Sequence, residues 1–364
     1  MLYHLWDYRG AHWLGRAITI IAVQGWIGVD VFFVLSGFLI TRILLAARSS
    51  PRYYASFYLR RSLRIFPLYY AVLALLTVVG LAATMLGIPL RELTTDQLAR
   101  IWLNYLYLSN FALAFLGSNK IPLDISWSLA VEEQFYLVYP FVVRRLTRAG
   151  LERWLLVASL AAIPLRWLSL RYFPGNHYGP YALPYCRMDA LAVGGLAALL
   201  LERPDPTAAR RLGSAMLPLW VAAIAAVFIW HRGELPLVTI GYTLTATATA
   251  ATILRLRLGD LRAVRALLRR PLLVAIGKVS YGLYLLHLFV RAALDRLPWF
   301  RLAMRDDLVI AFLRAAVMAG ASFGVAWCSW LVFERPILRL KARLDRASPA
   351  SIAGTSSQPE RTSG

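Results

Sequence analysis

Charge is scarce in this sequence. Asp, Glu, Lys and Arg together make up 16% of its 364 residues, against about 25% in ordinary soluble domains. A water-soluble fold of this length needs a charged skin over its core, and there is too little charge to make one. Acid is scarcer still, with 19 Asp+Glu against 40 Lys+Arg and a formal net charge of +21. Cysteine is nearly absent. Cys186 and Cys328 both sit in apolar surroundings, which excludes a disulfide framework and a thiolate metal site. There is no His-Glu-x-x-His, no Gly-x-Ser-x-Gly and no phosphate-binding glycine loop, so the zinc-hydrolase, serine-hydrolase and P-loop classes lack their signatures.

What the sequence has in quantity is apolar side chains, 59% of the total, in long blocks. A bilayer crossing needs about 20 mostly apolar residues. Windows of that kind run over 25–46, 66–88, 154–170, 184–201, 215–231, 236–255, 272–293 and 307–333. Two further apolar stretches, near 98–117 and 128–143, are separated by the polar run from Ser118 to Ser128. The expected fold is therefore all-α, a polytopic transmembrane helix bundle, in one domain over residues 1–346. Residues 347–364 are rich in Ser, Ala and Pro and read as a disordered cytoplasmic tail.

The basic residues fix the orientation. Segments 42–64, 144–153, 203–211, 255–278 and 335–346 hold 25 of them, while the intervening connections hold 8. The rich set faces the cytoplasm by the positive-inside rule. Basic residues strung between apolar blocks are loop anchors, not the single basic face of a nucleic-acid binder. With residue 89 outside and residue 144 inside, one of the two ambiguous stretches crosses and the other is re-entrant or interfacial. That gives nine visible crossings, with residues 1–24 outside or forming the end of a helix that begins upstream. Met1 to Trp6 is apolar and aromatic, far too short to cross, and has none of the features of a signal peptide.

Few residues here can carry chemistry. His4 suits a general base for a hydroxyl, though a histidine beside Tyr3 and Trp6 also suits a headgroup interface. Arg61 and Arg64, spaced i,i+3, share one helical face just before a span. They can clamp a diphosphate or simply anchor the cytoplasmic edge. Glu132 and Glu133 enter an apolar helix, with Ser128 as a cap; ionisable groups there default to function. Asp30, Arg187 and Asp189 are costly in a membrane and want partners. His287 lies about 13 Å past Lys278 if the helix is straight, where it must face protein or a cavity: with its i,i+3 neighbour Tyr284 it either lines the site or forms a structural hydrogen bond. Glu334-Arg335-Pro336 closes the last span as a Glu–Arg anchor. His12, His177 and His231 fall in outer connections.

Taken in order, these segments resemble the acyltransferase-3 family of integral-membrane O-acyltransferases. The stretches are Gly28 to Thr41 (GVDVFFVLSGFLIT), Arg60 to Tyr70 (RRSLRIFPLYY), Trp127 to Pro140 (WSLAVEEQFYLVYP), Arg187 to Gly195 (RMDALAVGG), Ser280 to His287 (SYGLYLLH) and Glu334 to Pro336. The resemblance implies transfer of an acyl group, commonly acetyl from acetyl-CoA entering from the cytoplasm, to a hydroxyl of a sugar, glycan or related acceptor. Acyl-CoA is a co-substrate on this reading, and neither a bound cofactor nor a metal is expected. The setting implied is the bacterial inner membrane, with lipid as the other partner. His4 matches the family's first-helix histidine, Arg61 and Arg64 its donor-binding arginines, and Glu132 and Glu133 its glutamates. The family also has ten crossings and an arginine about ten residues before the histidine, so a first helix beginning upstream is expected. The stand-alone form, without an appended esterase-like domain, is expected too. The rival class is a transporter or flippase for a lipid-linked glycan, with Asp30, Arg187, Asp189 and His287 as a polar path. Repeat-type transporters show internal hydropathy symmetry, which this sequence lacks.

Overall fold

Among the described residues, all regular structure is helical and there is no strand. The computed structural model describes residues 2–88, 95–117, 122–172, 178–230, 236–301 and 306–339. His177, His231 and the tail over 347–364 lie outside them. The main helices are α1 (Leu2–Leu5), α2 (Trp13–Val23), α3 (Ile27–Ala46), α4 (Tyr53–Met85), α5 (Trp127–Arg145) and α6 (Arg148–Tyr172). They continue with α7 (Pro184–Leu201), α8 (Met216–Trp230), α9 (Pro236–Leu258), α10 (Pro271–Lys278), α11 (Ser280–Leu294) and α12 (Leu308–Ser329).

Five of the described helical stretches are long and apolar enough to cross a membrane, and six if α10 and α11 count as one bent span. Helix α5 falls outside that set because it carries Glu132, Glu133, Arg144 and Arg145. Their outward faces are apolar, as lipid requires: Leu75, Val78, Val157, Leu160, Val309 and Leu313 are all well exposed. Of the two ambiguous stretches, 128–143 is one continuous helix, whereas 98–117 breaks into the short helices Trp102–Tyr105 and Ser109–Leu116.

Three boundaries differ from the hydropathy reading. The first apolar window extends back through a 3₁₀ turn at Gln24–Trp26 into α2, making one stretch over Trp13–Ala46. Residues 13–23 are thus helix rather than plain outer connection. Tyr8 lies so close over Gly15 that any β-carbon there would meet its ring at 2.2 Å. Helix α4 runs unbroken through Pro67, starting thirteen residues before the predicted window. Helices α10 and α11 meet at Val279 with a bend of 74°, so His287 does not sit on a straight run from Lys278.

Helix α3 packs most extensively on α7, which in turn packs on α6 and α9. Glycine makes the α3–α7 contact possible. A β-carbon on Gly37 would fall 1.9 Å from the Leu191 carbonyl oxygen, and one on Gly194 would fall 2.1 Å from that of Val34. Small residues that let backbones touch are a standard means of helix association in lipid, where the hydrophobic effect gives no drive. On the other side α11 packs on α12, with α1 docked against α12. Helices α4 and α5 carry the aromatic core between these halves, including Tyr53, Tyr69, Tyr136 and Tyr139.

Candidate active site

A cavity of about 1130 Å³ lies between the two halves. Arg61, Glu132, Ser128, Tyr284, His287 and His4 all line its wall. Motifs separated by up to 283 positions in sequence thus share one space.

At one end, Arg61 and Arg64 project from the N-terminal part of α4. Arg64 is exposed and Arg61 half-buried, with its guanidinium 4.9 Å from the ring centroid of Tyr136. Beyond them lies Glu132, 3% exposed. Its Oε1 accepts from the hydroxyls of Ser36 and Tyr136, which are themselves 2.5 Å apart. A carboxylate taken out of water needs donors of this kind. Glu133, the next residue, does not line the cavity. Its buried Oε1 has no hydrogen-bond partner among the described residues.

One helical turn before Glu132, Ser128 bonds Tyr284 Oη at 2.7 Å, and Tyr284 Oη donates to the Ile125 carbonyl at 2.7 Å. Ser128 is therefore not the cap of α5. Ser126 precedes the helix, with no side-chain capping bond. Tyr284 and His287 do not bond each other's side chains. Instead, His287 Nδ1 sits 2.7 Å from the Tyr284 carbonyl oxygen and 3.2 Å from that of Leu283. Backbone carbonyls of its own helix lie nearer than a tyrosine hydroxyl already committed elsewhere.

The His4 ring, also on the cavity wall, lies 5.2 Å from that of His287, centroid to centroid. The segment holding His4 is fixed by side chains with no periodic signal. Arg291 donates to the His4 carbonyl, Trp6 Nε1 bonds Thr19 Oγ1 at 2.8 Å, and Tyr8 Oη accepts from the His12 amide at 2.9 Å. Arg291 is braced by Asp295 at 3.5 Å, which also meets Arg314 at 3.3 Å.

Asp30, Arg187 and Asp189 find partners off the cavity. Arg187 pairs with Asp30 at 2.5 Å and lies 4.1 Å from the Tyr242 ring centroid. Asp189 pairs with Arg166 at 2.8 Å, and Thr243 bonds the same carboxylate at 2.6 Å. All four charged residues are fully buried and none lines the cavity. They hold α3, α6, α7 and α9 together. Glu334 and Arg335 form no ion pair with each other among the described residues. Glu334 accepts from Ser329 at 3.4 Å, and Arg335 lies over the Trp330 ring, where the chain makes a π-helical turn at Trp330–Glu334.

Sequence reasoning missed Ser36, Tyr136, Arg166 and Arg291. The last two fall inside apolar windows, where any charge is a signal; the first two are ordinary polar members of a helix.

The profile of the acyltransferase domain family (acyltransferase-3) matches residues 1–333. The chain belongs to this family. Acyl transfer to a hydroxyl is its chemistry, and it is a multi-pass membrane protein. It is 28% identical over 331 residues to nodulation protein 10 of Rhizobium leguminosarum bv. viciae, covering 87% of this chain and 83% of that one. It is 27% identical over 364 residues to the peptidoglycan O-acetyltransferase of Listeria monocytogenes, covering 88% of this chain. The aligned region is 54% of the Listeria enzyme, so the chain spans about half of that protein's length. No solved structure matches it.

Proposed function

We propose that this acyltransferase takes an acetyl group from acetyl-CoA at its cytoplasmic end and places it on a sugar hydroxyl of a cell-envelope glycan. The observation that carries this reading is that one cavity holds both the Arg61–Arg64 end and His4. The forked guanidiniums suit the 3′-phospho-ADP part of the donor, to which they can bond bidentately. The pantetheine arm then runs along the wall past Glu132 and Ser128 toward the histidines. His4 takes the proton of the acceptor hydroxyl as its oxygen attacks the thioester carbon, and the departing thiolate receives a proton in turn. A glycan acceptor is supported by the relative named as a peptidoglycan O-acetyltransferase. The proposed location is the bacterial inner membrane, where cytoplasmic donor and external acceptor meet across one protein.

Donor binding tests the reading. In detergent, Arg61→Ala or Arg64→Ala should weaken acetyl-CoA binding by more than about 1.5 kcal/mol, the lower range for charge-assisted hydrogen bonds. Unchanged binding in both variants would make these arginines topological anchors only.

A further inference from the structure

In the second histidine of the cavity, the hydrogen bonds assign the role of one ring nitrogen. A carbonyl oxygen can only accept, so the two carbonyls at His287 Nδ1 require that nitrogen to carry the ring proton. In the neutral ring the basic lone pair is then on Nε2. His287 is 2% exposed, its Nε2 is buried with no hydrogen-bond partner among the described residues, and it belongs to the same cavity wall as His4. A buried basic nitrogen left unpaired is costly. Here it lies on a ring 5.2 Å, centroid to centroid, from the ring of the proposed base.

We propose that His287 is the proton reservoir of the reaction and acts through His4, an inference that rests on the function proposed above. His4 takes the hydroxyl proton as the oxygen–acyl bond forms. The imidazolium so produced passes a proton to Nε2 of His287, and His4 returns to neutrality. When the carbon–sulfur bond breaks, the proton goes back through His4 to the thiolate. Both rings end neutral, the acceptor has lost a proton and the thiol has gained one. The two carbonyls that fix Nδ1–H keep Nε2 turned away from the helix backbone throughout. Arg291 serves the pair from the side by bonding the His4 carbonyl, which sets the position of the first ring against the second.

Membrane vesicles from cells expressing the full chain, supplied with radiolabelled acetyl-CoA, give base-labile label in envelope material as the readout. His287→Gln is expected to lower that rate by about 10²-fold or more, the usual range for lost proton transfer. Acetyl-CoA binding should stay within about twofold, since the donor's phosphates are assigned to Arg61 and Arg64 rather than to the histidines. The double variant His4→Ala, His287→Ala should be no slower than His4→Ala alone, because groups acting as a unit are not additive. Free imidazole should restore part of the rate to His287→Ala, which a role in packing alone does not allow. A His287→Gln enzyme keeping more than about a third of the wild-type rate overturns the inference. So does a His287→Ala protein that binds acetyl-CoA but is not rescued by imidazole. Wild-type vesicles that incorporate no label sink the donor assignment and this inference together; an active His287→Gln beside an active wild type sinks the inference alone.

Discussion

Glu132 and Glu133 are adjacent in sequence and part ways in space. Glu132 faces the cavity and is held by Ser36 and Tyr136, while Glu133 turns away from it. Glu132→Gln replaces one acceptor oxygen by a donor facing two hydroxyls, and should lower acyl transfer by about 10²-fold. Glu133→Gln should leave the rate within about threefold. Steady-state transfer in vesicles separates the two, and equal losses would show that the pair acts together. The buried ions behave differently, since their role is structural. Arg187→Met strands the Asp30 carboxylate and should cost about 3–5 kcal/mol. Adding Asp30→Asn should recover part of that, as read by thermal unfolding in detergent. At this scale the sequence showed several residues that carry charge into the membrane, though not Arg166 or Arg291, and it did not show who meets whom. Asp30 and Arg187 were legible as needing partners. That Asp30 chooses Arg187, and Asp189 chooses Arg166, depends on helix packing that no spacing rule encodes.

Among the elements, the contact between α3 and α7 is the most demanding. Gly37→Ala drives a methyl into the Leu191 carbonyl, and backbone cannot yield as a side-chain tip can. A loss at the upper end of the 1–3 kcal/mol range for overpacking, or about 3 kcal/mol, is expected. Gly320→Ala in α12 is the control. Its β-carbon would meet nothing within 4 Å, so the change should be neutral or stabilise by up to about 1 kcal/mol. Unfolding midpoints of the two variants check both statements. Hydropathy located the apolar blocks well, because lipid imposes a length on them. It did not show that α2 and α3 form one stretch, that α4 continues through Pro67, or that the chain bends at Val279. Helix direction and continuity follow from contacts between elements, to which a sliding window is blind.

For the whole molecule, orientation is the property most directly testable. Helix α4 runs from the basic segment at 42–64 to Leu86, so its ends should lie on opposite faces. Cys328 is exposed and Cys186 buried, so labelling belongs in a Cys328→Ser background. Arg265→Cys should react only with reagent on the cytoplasmic side, and Leu86→Cys only from outside. Reaction of both from one side would overturn the positive-inside assignment. The family and the helical architecture were legible from the chain as a whole, since composition and motif order are properties of its full length. The cavity was not, because it is made of one residue here and two there from several helices. The glycine contacts between α3 and α7 have a mechanical consequence for that cavity. Two rods whose backbones touch cannot slide without a methyl-sized step opening between them. The wall that carries Ser36 is thus a fixed jaw. Any widening as substrates enter must come from the opposite jaw, the histidine-bearing α11, which already has an elbow at Val279. Paired spin labels across α3 and α7 should keep one distance whether acetyl-CoA is present or not, whereas a pair spanning α3 and α11 is free to change.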